Sequence, residues 1–374
     1  MQKEAKARIK INNLLQESGW RFFDDENGQA NIVLEQNAKL TQNDLDEFGH
    51  DFEKTTNGYI DFLLLDENGF PLVVLEAKSE DKNPLDGKEQ ARRYARSQNT
   101  RFVILSNGNL HYFWDLESGN PAIITTFPTP ESIGHVQSFK PDSQALTKEK
   151  VDGGYIAQTQ YPTYETDPRW LDLEQKPKFI KDNNLKILRP YQLGAVLALQ
   201  NAVKAGKNRF LFEMATGTGK TLVAAAVIKL FLRSGNARRI LFLVDRLELE
   251  DQGDRNIKKY LGKDYTVLTY KENRDDWKKA EIVISTVQSL LANNKYQKLF
   301  SPTDFDLVIS DEAHRSISGN SRAVFEYFIG YKLGLTATPK DYLKNLDPVK
   351  LSQNDPRQWE RRQLLDTYRT FGCE

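Results

Sequence analysis

The run Met214-Ala215-Thr216-Gly217-Thr218-Gly219-Lys220-Thr221 places two glycines, a lysine and a hydroxyl at the spacing of a phosphate-binding loop. Backbone N–H groups in such a loop turn inward around a phosphate at a helix N-terminus, where orphan donors and the helix dipole favour negative charge. Gly217, Thr218 and Gly219 are expected to form the cradle, Lys220 to reach the β- and γ-phosphates, and Thr221 to offer its hydroxyl to magnesium. Met214 stands where the G-x-x-x-x-G-K-[ST] pattern has its first glycine. Farther on, Asp311-Glu312-Ala313-His314 follows an apolar run. Asp311 is placed there to hold magnesium, and Glu312 to orient or activate a water attacking the γ-phosphate. A third set, Asp61, Glu76 and Lys78, lies upstream. Asp and Glu oxygens suit magnesium, and a lysine beside them can orient or help deprotonate a water for in-line attack on phosphorus. The chemistry of that set is phosphodiester hydrolysis.

The elements that must hold these groups follow from periodicity and turn chemistry. The phosphate loop lies between an apolar run, Arg209 to Glu213, and a helix-forming run, Leu222 to Leu232. Upstream, Tyr59 to Leu65 and Leu72 to Ala77 read as strands joined through Asp66-Glu67-Asn68-Gly69. With Asn68-Gly69 as a two-residue loop, Glu67 pairs with Phe70, and counting outward sets Asp61 directly opposite Glu76. An odd-length loop would break that pairing. Two like charges face to face are destabilising alone, so the arrangement asks for a bound cation or a different register. Lys78 shares a strand face with Glu76. Asp86 to Ser97 reads as a helix with Gln90 and Tyr94 on one face, while Arg92, Arg93 and Arg96 point elsewhere and can meet DNA phosphates.

A helix is expected over Glu4 to Glu17, with Ile9, Ile11, Leu14 and Leu15 as its apolar stripe, followed by a short strand at Ile32 to Glu35. Phe102 to Leu105 and Leu110 to Trp114 form a further hairpin around Ser106-Asn107-Gly108-Asn109. From Glu117 to about Leu185 the pattern fades into prolines, threonines and charges; Tyr155, Tyr161, Tyr164 and Trp170 there fasten an ordered linker to its neighbours. After the phosphate loop, Arg239 to Val244, Tyr265 to Tyr270, Glu281 to Thr286, Asp306 to Ser310 and Lys332 to Leu335 are short apolar runs spaced by helices. They make a parallel sheet whose ligands gather beyond the carboxyl ends of its strands.

With 374 residues, 39% hydrophobic and 28% charged, the chain has room for about two to three ordinary domains. Lys plus Arg and Asp plus Glu both total 52, so affinity for nucleic acid must come from local basic surface. The single cysteine, Cys373, excludes an internal disulfide framework and a cysteine-rich zinc site and suits a reducing cytoplasm. No apolar run approaches a membrane span, and the charged start Met1-Gln2-Lys3-Glu4 is unlike a signal peptide.

Asp61, then Glu76-Ala77-Lys78, then Gln90-Ala91-Arg92-Arg93-Tyr94 resembles the D…E-x-K…Q-x-x-x-Y signature of one branch of the PD-(D/E)xK nucleases. That resemblance adds Gln90 and Tyr94 to the catalytic set; Glu4 stands where the family has an extra helix acid, but a first-turn glutamate that suits the helix dipole is the preferred reading. Ile187-Leu188-Arg189-Pro190-Tyr191-Gln192 before a helix, Leu193 to Ala205, resembles the adenine-reading start of superfamily 2 helicases, which implies that Gln192 contacts adenine with Arg189 or Tyr191 nearby. Thr336-Ala337-Thr338-Pro339 resembles the helicase motif coupling hydrolysis to nucleic-acid movement, with His314 reporting nucleotide state to the DNA side.

Met214 to Thr221, Leu243-Val244-Asp245-Arg246, Asp311-Glu312-Ala313-His314-Arg315-Ser316 and Gly334 to Pro339 together resemble the restriction (R) subunit of type I restriction enzymes, whose members carry Met at the position of Met214. The resemblance implies a PD-(D/E)xK nuclease domain with a mixed sheet and flanking helices at 1–145, a linker at 146–185, and a RecA-like P-loop lobe at 186–374. It also implies ATP and magnesium as cofactors, with Asp61, Glu76, Thr221 and Asp311 as metal ligands. The implied partners are double-stranded DNA and the methylation and specificity subunits, and no membrane. Past Pro339, Asp341 to Lys350 and a charged helix, Pro356 to Tyr368, offer no glycine-arginine-rich motif of a second RecA-like lobe, so a fragment is expected. The rival expectations are a helicase whose N-terminal domain binds without cutting, and a catalytically silent truncated product.

Overall fold

The computed structural model describes residues 2–38, 58–245, 247–270, 276–316, 320–338 and 356–372. Arg246, Pro339, the stretch Asp341 to Lys350 and Cys373 lie outside the described residues. The protein is α/β and divides into two compact units, residues 1–140 with 301–303, and residues 141–300 with 304–374.

The first unit is built on a six-stranded mixed sheet in sequential order, β1 (Ile32–Ala38), β2 (Gly58–Leu65), β3 (Pro71–Ala77), β4 (Phe102–Ser106), β5 (His111–Asp115) and β6 (Ala122–Ile124). All neighbours are antiparallel except β3 and β4. A parallel pair needs a crossover, and here a 3₁₀ turn, Pro84–Gly87, and the helix Lys88–Ser97 supply it. The sequence favours one helix from Asp86; the chain instead makes a proline-led turn first, with Asn83 Oδ1 accepting from Leu85 N. Ala91, Tyr94 and Ala95 of that helix pack on Leu63, Val74, Val103 and Leu105. The helix α1 (Gln2–Glu17) buries Ala7, Ile11 and Leu15, a stripe of period four, and leaves Ile9 60% exposed, contrary to the expected stripe.

The β2–β3 hairpin differs from the counted one in a way that preserves its consequence. Asp66 N donates to Phe70 O, Phe70 N and Asn68 N donate to Asp66 Oδ1, and Gly69 takes φ +81°, so three residues, Glu67 to Gly69, form the loop. Leu65 therefore pairs with Pro71. A bulge then leaves Leu72 unpaired, and the register resumes as Leu64 with Val73 and Phe62 with Leu75. The odd loop and the one-residue bulge cancel. Continued by one residue, the ladder sets Asp61 opposite Glu76.

The second unit contains an all-parallel, RecA-like six-stranded sheet of order β7-β12-β11-β8-β10-β9. Its strands are β7 (Arg209–Glu213), β8 (Ile240–Val244), β9 (Val267–Thr269), β10 (Ile282–Thr286), β11 (Leu307–Ser310) and β12 (Tyr331–Thr336). β8, β10 and β11 are buried along their whole length, as strands covered by helices on both faces must be. The helix Lys220–Arg233 follows β7 and buries ten consecutive residues, Leu222 to Phe231. Between residues 141 and 185 the chain forms short helices, and Tyr164, buried, meets Trp170 edge-on at 4.5 Å while Tyr161 meets Phe179 at 5.8 Å. Among the described residues no helix is long and apolar enough to cross a membrane.

Candidate active sites

In the first unit the opposed carboxylates are held by four different elements. Asp61 Oδ2 accepts from Ala77 N at 2.9 Å, which ties the aspartate across to β3. Its Oδ1 accepts from Arg8 Nη2 of α1 at 2.6 Å. Lys78 Nζ donates to Glu76 Oε1 at 2.7 Å and to Gln90 Oε1 at 3.3 Å, and Gln90 Nε2 donates to Tyr94 OH at 3.0 Å. Glu76, Lys78, Gln90 and Tyr94 thus form one hydrogen-bonded chain, and Asp61 is tied beside it through the backbone of Ala77. Glu4, by contrast, is exposed in the first turn of α1, and the charge that helix brings to Asp61 is Arg8.

Burial dominates the electrostatics. Glu76 is 3% exposed, and desolvation, with the Asp61 charge behind it, pushes its carboxyl up to about 7 against the pull of Lys78. Desolvation also raises Asp61, opposed by the Ala77 N–H, Arg8 and Lys78. Among the described residues Glu76 Oε2 is buried with no hydrogen-bond partner. A buried carboxylate oxygen without a donor is what a hard cation would satisfy, and magnesium typically takes one or two carboxylates while keeping waters and substrate phosphates. No group of three or more His, Cys, Asp or Glu suited to a metal occurs among the described residues, so the fit rests on this pair.

Two contributors escape sequence inspection. Arg8 lies 53 residues from Asp61, and no local pattern links them. Gly87 closes the 3₁₀ turn so tightly that a Cβ there would stand 2.7 Å from Lys78 Cε and 3.0 Å from Glu76 Cγ. The Pro84-Leu85-Asp86-Gly87 turn sequence was the available signal.

In the second unit, the ends of β7, β12 and β11 lie side by side and carry the loop, Thr336 and Asp311. Gly217 at φ +78° and Gly219 at φ +86° adopt the left-handed backbone that glycine permits, and the helix begins at Lys220. Met214 is nearly buried in the core, with its N–H donating to Thr336 O, so an apolar side chain fills the first glycine's position. Gln192 is 3% exposed: its Oε1 accepts from Arg189 N and its Nε2 donates to Thr218 O at 2.8 Å, where Tyr191 OH also donates. Both residues therefore clamp the phosphate loop. Lys220 Nζ donates to Glu312 Oε1 at 2.6 Å, with Glu312 at φ +48°, a conformation costly for a non-glycine residue. Burial, then Glu312, raises Asp311, and Lys220 opposes them. His314 Nδ1 meets Thr336 Oγ1 at 3.1 Å, and Thr338 N donates to the same oxygen. Burial lowers the His314 pKa, which favours neutral imidazole there.

Comparison with known proteins follows this division. Residues 1–122 match the family "Type I restriction enzyme R protein N terminus", and residues 185–341 match "Type III restriction enzyme, res subunit". The chain is 34% identical over 294 residues to the type I restriction enzyme EcoAI endonuclease subunit of Escherichia coli, covering 75% of this chain and 33% of that protein. It is 26% identical over 290 residues to the SauMSSORF170P endonuclease subunit of Staphylococcus aureus, covering 73% and 29%. A solved fragment of an HsdR-type subunit of a type I restriction enzyme from Vibrio vulnificus is 25% identical, with a TM-score of 0.34, covering 98% of this chain and 57% of that one. The chain spans about a third of the length of the curated relatives it matches.

Proposed function

We propose that this chain, a homologue of the type I restriction enzyme endonuclease subunit with a helicase-type domain, carries the magnesium-dependent nuclease and the first ATP-binding lobe of a DNA-translocating restriction enzyme. The observation that carries the reading is the bonded chain Glu76, Lys78, Gln90 and Tyr94 with Asp61 held beside it through Ala77 N, and a buried glutamate oxygen that no donor among the described residues satisfies. Asp61 and Glu76 would hold magnesium, which supplies Lewis-acid stabilisation of charge developing on a phosphodiester. Lys78, fixed by Glu76 and Gln90, orients the attacking water or accepts its proton, and Tyr94 holds Gln90 in place.

In the lobe, Gly217 to Gly219 would cradle the ATP phosphates, Lys220 would neutralise their charge, and Thr221 and Asp311 would hold a second magnesium. Lys220 must then exchange its bond to Glu312 for the phosphates, which frees Glu312 to orient water. Gln192, whose amide is engaged by Arg189 N and Thr218 O, would read adenine by exchanging its bond to Thr218 for the base, and the His314–Thr336 contact couples the site to the Thr336-Ala337-Thr338 stretch. On this reading the domain limits are 1–145, 146–185 and 186–374. The partners are double-stranded DNA and the methylation and specificity subunits, and the setting is cytoplasmic. The test is Lys78→Ala in the full complex, with plasmid cutting and phosphate release followed together. Cutting is expected to disappear while ATP hydrolysis persists, and undiminished cutting would remove the nuclease assignment.

A further inference from the structure

The helix Lys88–Ser97 has a second functional face. Gln90 and Tyr94 point to the carboxylates, whereas Arg92 and Arg96, two positions on, lie about 200° round the helix. There they line a cavity of about 670 Å³ in the first unit with Asn99, Thr100, Trp114 and Lys140. Its one carboxylate is Glu117, which meets Lys140 Nζ at 3.3 Å and Arg101 Nε at 3.5 Å. Arg101 is occupied structurally: its fork grips Asp115 at 2.8 and 2.6 Å, and Nη1 donates to Phe139 O at 2.7 Å. Arg92 lies over the Trp114 ring at 4.8 Å and meets Glu89 at 3.1 Å. Arg96 is exposed and Lys140 is 71% exposed. The cavity thus presents two guanidinium groups, an ammonium and the Asn99 amide on a chain whose net charge is zero. The helix dipole by itself favours a cation such as Arg96 in the last turn, so the case for a ligand rests on the cavity that Arg92, Arg96 and Lys140 share.

We propose that this cavity binds a phosphate of the nucleic-acid backbone, at a point separate from the phosphate to be cut. Planar guanidinium forks match phosphate oxygens in pairs, and the exposed asparagine at the helix end can donate to a remaining one. A ligand touching both faces of one helix must carry phosphates in series. The inference rests on the nuclease reading only for the identity of that polymer.

The experiment measures binding without cutting. A labelled duplex is titrated in EDTA by fluorescence anisotropy against the 374-residue chain and the double variant Arg96→Ala/Lys140→Ala, with thermal melting to verify folding. The double variant is expected to bind about tenfold more weakly at low salt, and its plot of log Kd against log salt to flatten by about one to two contacts' worth. EDTA leaves the Asp61–Glu76 centre without metal in every sample, so binding is read apart from cutting, which separates this test from the nuclease reading. Unchanged affinity and slope in the double variant would overturn the proposal. In parallel, acetylation of Lys140 is read by mass spectrometry with duplex DNA, pyrophosphate or polyglutamate present. Protection by duplex is expected; protection by pyrophosphate or polyglutamate but not by duplex would reassign the cavity to a free phosphate or an acidic protein.

Discussion

Arg8 Nη2 lies 2.6 Å from Asp61 Oδ1, joining the N-terminal helix to the carboxylate pair from a position 53 residues away. The guanidinium favours ionised Asp61 against its burial and fixes the rotamer that also accepts from Ala77 N. Arg8→Gln therefore raises the Asp61 pKa further, and the acid limb of DNA cutting moves to higher pH. Residues that orient metal ligands typically change affinity or activity by about 10- to 100-fold when removed. Cutting rates of the assembled complex between pH 6 and 8 check this, and an unmoved profile would mean that Arg8 only packs the helix.

Glu76 carries the stability signature of its site. Its carboxyl stands near 7 when folded and at about 4.5 when free, so the folded state holds a proton over that interval that the unfolded state has lost. Stability in metal-free buffer should fall as pH rises from about 4.5 to about 7 and then level off. Glu76→Gln abolishes that dependence, and at pH 8 it should stabilise the metal-free protein by about 1–3 kcal/mol. Urea unfolding with EDTA at pH 5 and pH 8 measures the gap. Magnesium should stabilise wild type and leave the glutamine variant unchanged; an equal response of both would show that Glu76 is no ligand.

Lys220 and Glu312 form a pair that nucleotide must break. Lys220→Ala removes the cation for the phosphates and leaves Glu312 at φ +48° without that partner. Nucleotide affinity is expected to drop by about 100-fold or more, a loss of ~3 kcal/mol or more, as for a charge-assisted contact in a closed site. The fold should persist, since the sheet and the helix Lys220–Arg233 are packed by Leu222 to Phe231. Titration with a fluorescent ATP analogue decides it, and wild-type affinity in a folded variant would move the nucleotide site elsewhere.

What the sequence discloses is set by range. β7 and the helix after it are legible because an apolar strand, two glycines and a helical run are contiguous, and β8, β10 and β11 because buried parallel strands are unbroken apolar runs. β6, with three residues, and the short helices of 141–185 are too brief for periodicity to show. Asp61 facing Glu76 could be counted from the hairpin, yet the count succeeded through two offsetting departures, a three-residue loop and the bulge at Leu72. Such compensation has no sequence signature. Arg8 is hidden for a plainer reason: periodicity reports which face of α1 is buried, while the partner of an arginine at the edge of that face is fixed by how the helix docks.

Gly87 offers a substitution whose structural and functional costs should separate. An alanine Cβ there would stand 2.7 Å from Lys78 Cε and 3.0 Å from Glu76 Cγ, while the backbone, at φ −88°, accepts any residue. The closer atom is near the free end of a flexible side chain, so the clash is relieved by swinging Lys78 aside and the turn need not open. Stability should then change by less than about 1 kcal/mol. Lys78, however, loses the position in which it bonds Glu76 Oε1 and Gln90 Oε1. A displacement of about 1 Å at a reacting group can cost on the order of 100-fold, so Gly87→Ala should slow cutting by roughly 10- to 100-fold with duplex binding unchanged. Cutting rate, duplex affinity and melting temperature measured on one preparation test the separation. A variant that melts early and cuts normally when folded would show that the glycine serves the turn and that Lys78 tolerates displacement, which would weaken its assignment as the group that positions the attacking water.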